Sequence, residues 1–203
     1  MKTLSAFSRL VVLVSGHGSN LQAILDACAS GELRAQVVAV ISDRPQAYGL
    51  ERARRAGLPA LAQPKLKAQD RRDYDAELAK FVASYQPDWI VLAGWMRLLS
   101  TAFLSRFPGR VVNLHPALPG AFPGIHVIER AHAAFGREEI SHTGVMVHLV
   151  PDEGVDSGPV LAQCEVPIFP GETVEQLETR IHAAEHTLLV QALAELCQTT
   201  TAA

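Results

Sequence analysis

The chain predicts an open α/β sheet, parallel in its first half and mixed in its second, with helices on both faces. Three observations carry this. Dense β-branched runs alternate with segments of helical period from the N-terminus onward, as in a parallel sheet buried on both faces. Beyond residue 140 two strand-like runs follow each other around a Gly/Asp/Pro loop, the signature of an antiparallel pair. The 203 residues, 48 % apolar and 19 % charged, suit one domain with a full core, residues 1–203.

Each element has its own signal. Leu10–Ser15 is a short β-branched strand, and Leu21–Ala29 places Leu21, Ile24, Leu25 and Cys28 at helical spacing. Val37–Ser42 reads as a second buried strand. Gly49–Ala56 reads as a short helix closed by Gly57 and Pro59, and Pro59–Gln63 fits a short strand. Asp70–Tyr85 is the clearest amphipathic helix: Tyr74, Leu78, Phe81, Val82 and Tyr85 share a face, with Asp73, Asp75, Glu77 and Lys80 expected largely off it. Trp89–Ala93 reads as strand, Thr101–Phe107 as a short helix, Val111–Leu114 as strand and His126–Phe135 as helix. Thr143–Val150 and Val160–Val166 make the antiparallel pair. Thr173–Cys197 closes the chain as a long helix with Val174, Leu177, Ile181, Ala184 and Leu188 on one stripe. A leader, residues 1–9, and a polar tail, residues 198–203, are expected to fray.

Composition excludes several classes of function. Lys+Arg 18 against Asp+Glu 21 gives a net charge of −3 with no basic block, so nucleic acid is not the expected partner. Runs such as Leu10–Val14 are too short to span a bilayer, and Met1–Arg9 leads into no apolar stretch with a cleavage site. No membrane partner is expected. Cys28, Cys164 and Cys197 are widely spaced and lack a CxxC pair, which argues against a disulfide framework or zinc site and for a reducing, cytoplasmic compartment; all three are expected in the core. Five of the eight histidines fall between positions 115 and 148, but none of these five pairs at metal-ligand spacing. His182 and His186 are four apart on the closing helix with no third ligand marked, so no metal is expected. His132 is expected on a solvated face, with His126 and His148 as rim residues. Trp95 is placed to line a pocket and Trp89 to pack.

In such a sheet, ligands bind outside the carboxyl ends of the strands, and that is where this sequence concentrates its unusual residues. The first strand ends in Gly16-His17-Gly18-Ser19-Asn20, a tight turn into a helix whose free N–H groups suit a monophosphate. Leu21 stands where a dinucleotide fingerprint needs glycine, and no Gly-Lys-Ser/Thr follows. The simpler alternative is a turn in which Ser19 or Asn20 only caps the helix. Asn113-Leu114-His115-Pro116 ends another strand. Alternation puts Asn113 and His115 on one side, an amide donor beside an imidazole, as a reaction with an oxyanion and a moving proton needs. The loop Pro151–Pro159 carries Asp152, Glu153 and Asp156. Asp156, flanked by small residues, is the candidate partner of His115, expected to raise its pKa.

Four stretches together resemble a known family. Gly-His-Gly-Ser-Asn at 16–20, Leu-Ala-Gly-Trp-Met-Arg-Leu-Leu-Ser at 92–100, Asn-Leu-His-Pro at 113–116 and Asp-Ser-Gly-Pro at 156–159 look like the phosphoribosylglycinamide formyltransferases, in that order and over nearly the whole chain. The resemblance implies a Rossmann-like formyltransferase fold. It also implies transfer of a formyl group from 10-formyltetrahydrofolate, as co-substrate, to glycinamide ribonucleotide in purine synthesis. By position it makes Asn113, His115 and Asp156 catalytic, with Asp156 keeping His115 cationic. Gly18, Ser19, Asn20, His182 and Glu185 would hold the ribonucleotide. Arg71, Met96, Arg97, Leu98, Leu99 and Asn113, together with Asp152, Glu153, Gly154, Val155 and Asp156, would hold the folate. Three features depart from the family pattern: His17 stands where Asn is common, the loop Ala117–Phe122 is altered, and the chain ends soon after the last helix. A homodimer is left open. The rivals are a formyltetrahydrofolate hydrolase, a methionyl-tRNA formyltransferase and a non-catalytic phosphate-binding module. The first two need further domains that this chain is not expected to carry, and the third has no use for Asn113, His115 and Asp156.

Overall fold

A computed structural model describes residues 7–201. Its elements run β1 (Ser8–Val14), α1 (Ser19–Ser30), β2 (Ala35–Ser42), α2 (Tyr48–Arg55), β3 (Ala60–Ala62), α3 (Arg71–Ser84), β4 (Trp89–Leu92), α4 (Thr101–Leu104), β5 (Val111–His115), α5 (Val127–Gly136), β6 (His142–Leu149), β7 (Val160–Pro167) and α6 (Val174–Thr201). The seven strands form one sheet in the order β3-β2-β1-β4-β5-β6-β7. Pairing is parallel from β3 to β5 and antiparallel for β5–β6 and β6–β7. The chain builds outward from β1 to β3, then returns to lay β4 on the other side of β1. Strand order therefore reverses between β1 and β4, which opens a crevice at their carboxyl ends.

The two-residue period of β1 explains why its run is apolar throughout. Leu10, Val12 and Val14 enter a core completed by α1, α2 and α6, while Val11 and Leu13 enter the opposite core with α3 and α4. Covering both faces in this way withdraws Leu10–Val14 from solvent completely. Asp70 starts α3 by accepting from the N–H groups of Arg72 and Asp73, and Gly31 ends α1 in the left-handed region.

Several expectations are corrected. Ser8 and Arg9 belong to β1, where the Arg9 N–H donates to Asp88 Oδ2 at 2.8 Å, so the fraying leader cannot reach residue 9; Met1–Ala6 lie outside the described residues. The tail is helical through Thr201, with Ala202 and Ala203 outside the described residues. The helix at Thr101 stops at Leu104. Asp75 is buried, because its Oδ2 accepts the Ser100 N–H at 2.7 Å where α3 meets the chain entering α4. Of the three cysteines Cys197 is fully buried; Cys28 and Cys164 are half-buried beside the core. Among the described residues no helix is long and apolar enough to cross a membrane.

Candidate active site

β5 ends at the crevice with Asn113 and His115 two residues apart on one side. The β5–β6 register sets His148 opposite Asn113. The loop between β6 and β7 then brings Asp156 back over them. Its Oδ2 lies 3.3 Å from His115 Nδ1 and accepts the Gly124 N–H at 2.9 Å; its Oδ1 accepts from Asn113 Nδ2 at 3.1 Å and lies 3.6 Å from His148 Nε2. Asp156 itself takes a left-handed φ of 49°. The loop can turn this tightly because of Gly158, where a Cβ would stand 1.8 Å from the Leu149 carbonyl oxygen.

Burial governs the charge state of this cluster. His115 is 3 % exposed and its Nε2 has no hydrogen-bond partner. Desolvation lowers its pKa below the usual 6.5, outweighing the pull of Asp156 and of the Phe122 and Ala121 backbone. The expected rise is therefore overturned: the resting imidazole is neutral at neutral pH. Asp156 is also desolvated, but the nearby His148 and His115 imidazoles and the hydrogen bond from the Gly124 N–H hold its pKa below the ordinary carboxylate value. Asn113 is more committed than expected. Its Nδ2 serves both Asp156 and His148 Nε2, the latter at 3.1 Å, while His148 Nδ1 lies 2.8 Å from the Leu149 carbonyl oxygen. His148 is thus a buried member of the cluster rather than a rim residue.

The strand-end loop Gly16–Asn20 lies on the β1 side of the crevice. Gly18 caps α1 at φ 74° without any side-chain cap and with no acidic residue in the first turn, so the leading N–H groups remain open to an anion. A Cβ on Gly18 would fall 2.7 Å from Gly49 Cα, so glycine is required here by packing against α2 as well as by backbone conformation. Asn20 donates from Nδ2 to Glu185 Oε2 at 3.1 Å, across 165 residues of chain. Burial raises the Glu185 pKa, and His182 Nε2 lies 3.9 Å from the same oxygen. The structure thus gathers Gly18, Ser19, Asn20, His182 and Glu185 at the α1–α6 junction. Sequence reasoning missed Arg52: its Nε–H donates to the His17 carbonyl at 2.9 Å and its Nη1 to Gln22 Oε1 at 3.1 Å. The His17 ring stacks on Tyr48 with centroids 5.2 Å apart.

On the β4 side Met96 and Leu98 are exposed, as is Val155 in the acidic loop, giving this rim an apolar lining. The Leu99 side chain is buried in the core beside α4. Trp95 is buried too. Arg97 Nη1 lies 4.0 Å from Asp43 Oδ2, with its guanidinium over the Tyr74 ring. Arg71 is bound to Glu153, whose other oxygen accepts the Thr101 N–H at 2.9 Å, so these two residues tie the acidic loop to α3 and α4. The Gly154 N–H donates to Asp152 Oδ1. His132 is half-buried rather than on an open solvated face: its Nε2 lies 2.8 Å from the Glu172 carbonyl oxygen. His126 is exposed and pairs with Glu129. Among the described residues no three His, Cys, Asp or Glu side chains are grouped to hold a metal ion.

Comparison with known proteins gives the family. A family model described as formyl transferase matches residues 8–193. The chain is 49 % identical over 200 residues to a phosphoribosylglycinamide formyltransferase of Schizosaccharomyces pombe, covering 92 % of this chain and 96 % of that one. It is 44 % identical over 179 residues to the Escherichia coli protein of the same name, covering 88 % and 82 %. Among solved structures, glycinamide ribonucleotide transformylase 1 from Symbiobacterium toebii superposes with a TM-score of 0.88 at 43 % identity, over 96 % of this chain and 89 % of that one.

Proposed function

The chain belongs to the formyl transferase family, and on that premise we infer how its residues move a formyl group from 10-formyltetrahydrofolate to the amine of glycinamide ribonucleotide, as a phosphoribosylglycinamide formyltransferase of purine synthesis. The observation that carries this reading is the shared Asp156 carboxylate, bonded at one oxygen by Asn113 and facing His115 with the other.

The amine attacks the formyl carbon, which becomes tetrahedral as its oxygen takes the negative charge; collapse then breaks the bond to the folate nitrogen. Neutral His115, with Nδ1 towards Asp156, presents an unpartnered Nε2 as the base for the proton the amine sheds. The imidazolium so formed is stabilised by Asp156 and can hand its proton to the leaving folate nitrogen. Asn113 holds Asp156 in place and exchanges its bond to His148 for one to the oxyanion; a donor of this kind is worth roughly 10²–10³ in rate. No covalent intermediate on the protein is required.

Gly18, Ser19 and Asn20 would take the ribonucleotide phosphate, with His182 and Glu185 on its sugar side. Met96, Arg97, Leu98 and the loop Asp152–Asp156 would enclose the folate, with Leu99 supporting from beneath. We read residues 1–203 as a single formyltransferase domain, of which the family model matches 8–193. The three cysteines, with burial pushing the Cys28 thiol up to about 11, suit a reducing cytoplasm. The test is turnover of glycinamide ribonucleotide with 10-formyltetrahydrofolate, read as formylglycinamide ribonucleotide formed. Release of formate without the ribonucleotide product would favour the hydrolase instead.

A further inference from the structure

Ser15 is the last residue before the strand-end loop Gly16–Asn20, and it is 1 % exposed. Its main chain and hydroxyl are both committed, and to different elements. The Ser15 N–H donates to the Gly94 carbonyl oxygen at 3.0 Å, at the end of β4. The hydroxyl donates to Asp43 Oδ1 at 2.6 Å, at the end of β2, and accepts the Met96 N–H at 2.9 Å. One side chain therefore joins the carboxyl ends of β1, β2 and β4 at the point where strand order reverses. Gly16 leads directly from it into the loop on one side of the crevice. Met96, hydrogen-bonded to it, begins the apolar rim on the other. Asp43 extends the link through Oδ2 to Arg97 at 4.0 Å.

We propose that the Ser15 hydroxyl, held by Asp43, is a positioning joint that fixes the spacing of the two substrate subsites and hence the approach of amine to formyl carbon. The inference rests on the assignment of Gly16–Asn20 to the ribonucleotide and Met96–Leu98 to the folate. Ser15 touches neither substrate. Backbone ties remain without it: the Gly16 carbonyl accepts from the Gly49 N–H on α2, and the Ser15 N–H still bonds the Gly94 carbonyl after β4. What the hydroxyl adds is a side-chain link from the first loop to Asp43 and to the Met96 N–H, where the other rim begins. A displacement of about 1 Å between two reacting groups costs on the order of 10²-fold in rate even when each is still bound.

The experiment compares Ser15→Ala, Asp43→Ala and Asp43→Asn with the unmodified chain in steady-state turnover, and measures binding of each substrate alone by calorimetry. In Ser15→Ala and Asp43→Ala, kcat is expected to fall at least about 10-fold, while the Kd for each substrate alone moves less than about 3-fold. Asp43→Asn keeps an oxygen acceptor for the hydroxyl and is expected to retain most of kcat, which separates geometry from charge. A folded Ser15→Ala variant with kcat within twofold of the parent would overturn the proposal. So would loss of binding of one substrate alone, which would make Ser15 a support of a single loop. Asp43→Asn stays falsifying if Ser15→Ala fails to fold: loss of kcat there contradicts a geometric joint. An unmodified chain that binds both molecules without transferring the formyl group would count against the assigned activity instead.

Discussion

His115 Nδ1 lies 3.3 Å from Asp156 Oδ2, yet the imidazole holds its proton less tightly than a free histidine. Burial outweighs the carboxylate because His115 is enclosed at the end of β5, beneath the loop that carries Asp156, and because Asn113 and the Gly124 N–H draw on the same carboxylate. The pair is set to accept a proton, and Asp156 favours the cation once it forms.

This has a consequence for stability against pH. A histidine whose pKa is lower folded than unfolded leaves the unfolded chain binding more protons just below pH 6.5. Its contribution is complete above the unfolded value and declines as pH falls from there through the folded value. Asp156, also lowered, loses its contribution only as pH falls below the carboxylate reference of 3.8. Urea midpoints measured between pH 8 and 5 are expected to decline for the parent chain and to flatten in His115→Gln, with the remaining slope belonging to other histidines such as His186, also lowered by burial.

Gly18→Val is expected to raise the KM for glycinamide ribonucleotide strongly while the folate KM stays nearly constant. The added Cβ meets Gly49 Cα and cannot hold φ 74° without strain of roughly 1–2 kcal/mol, so the loop is driven away from α2. Equal losses for both substrates would show that the loop only supports the fold.

Glu153→Gln weakens the tie of the acidic loop to Arg71 on α3 without touching the Asp156 cluster. Both side chains are partly exposed, so little stability is lost. The expected effect is a several-fold rise in folate KM with the ribonucleotide KM unchanged, read by initial rates at saturating partner substrate. An unchanged folate KM would remove Arg71 and Glu153 from the folate rim.

Activity is expected to survive exhaustive chelation, because the proposed proton transfers use His115 and Asp156 alone. Loss on chelation with recovery on adding zinc would contradict that mechanism.

Much of this was legible from residue spacing. The unbroken apolar run Leu10–Val14 and the end-of-strand Asn113 and His115 are local properties, and local properties survive in sequence. The partners that complete the site are not local. His148 faces Asn113 only through the β5–β6 register, and Asn20 meets Glu185 only because α6 packs on α1. Asp75 looked solvated on a helical wheel because its acceptor role depends on where Ser100 arrives. The direction of the His115 shift failed for the same reason: proximity to a carboxylate can be guessed from motifs, but the depth of burial that outweighs it depends on the loop Ala117–Phe122 and the rest of the fold.

The central claim is that Asp156 and His115 act as one unit in formyl transfer. The measurement is a double-mutant cycle on kcat/KM for glycinamide ribonucleotide with His115→Ala, Asp156→Asn and the pair combined. Each single change is expected to cost orders of magnitude, and the double variant little more than the worse of the two. Multiplicative losses, or near-normal turnover in Asp156→Asn, would mean that the carboxylate 3.3 Å from the imidazole takes no part in the proton transfer.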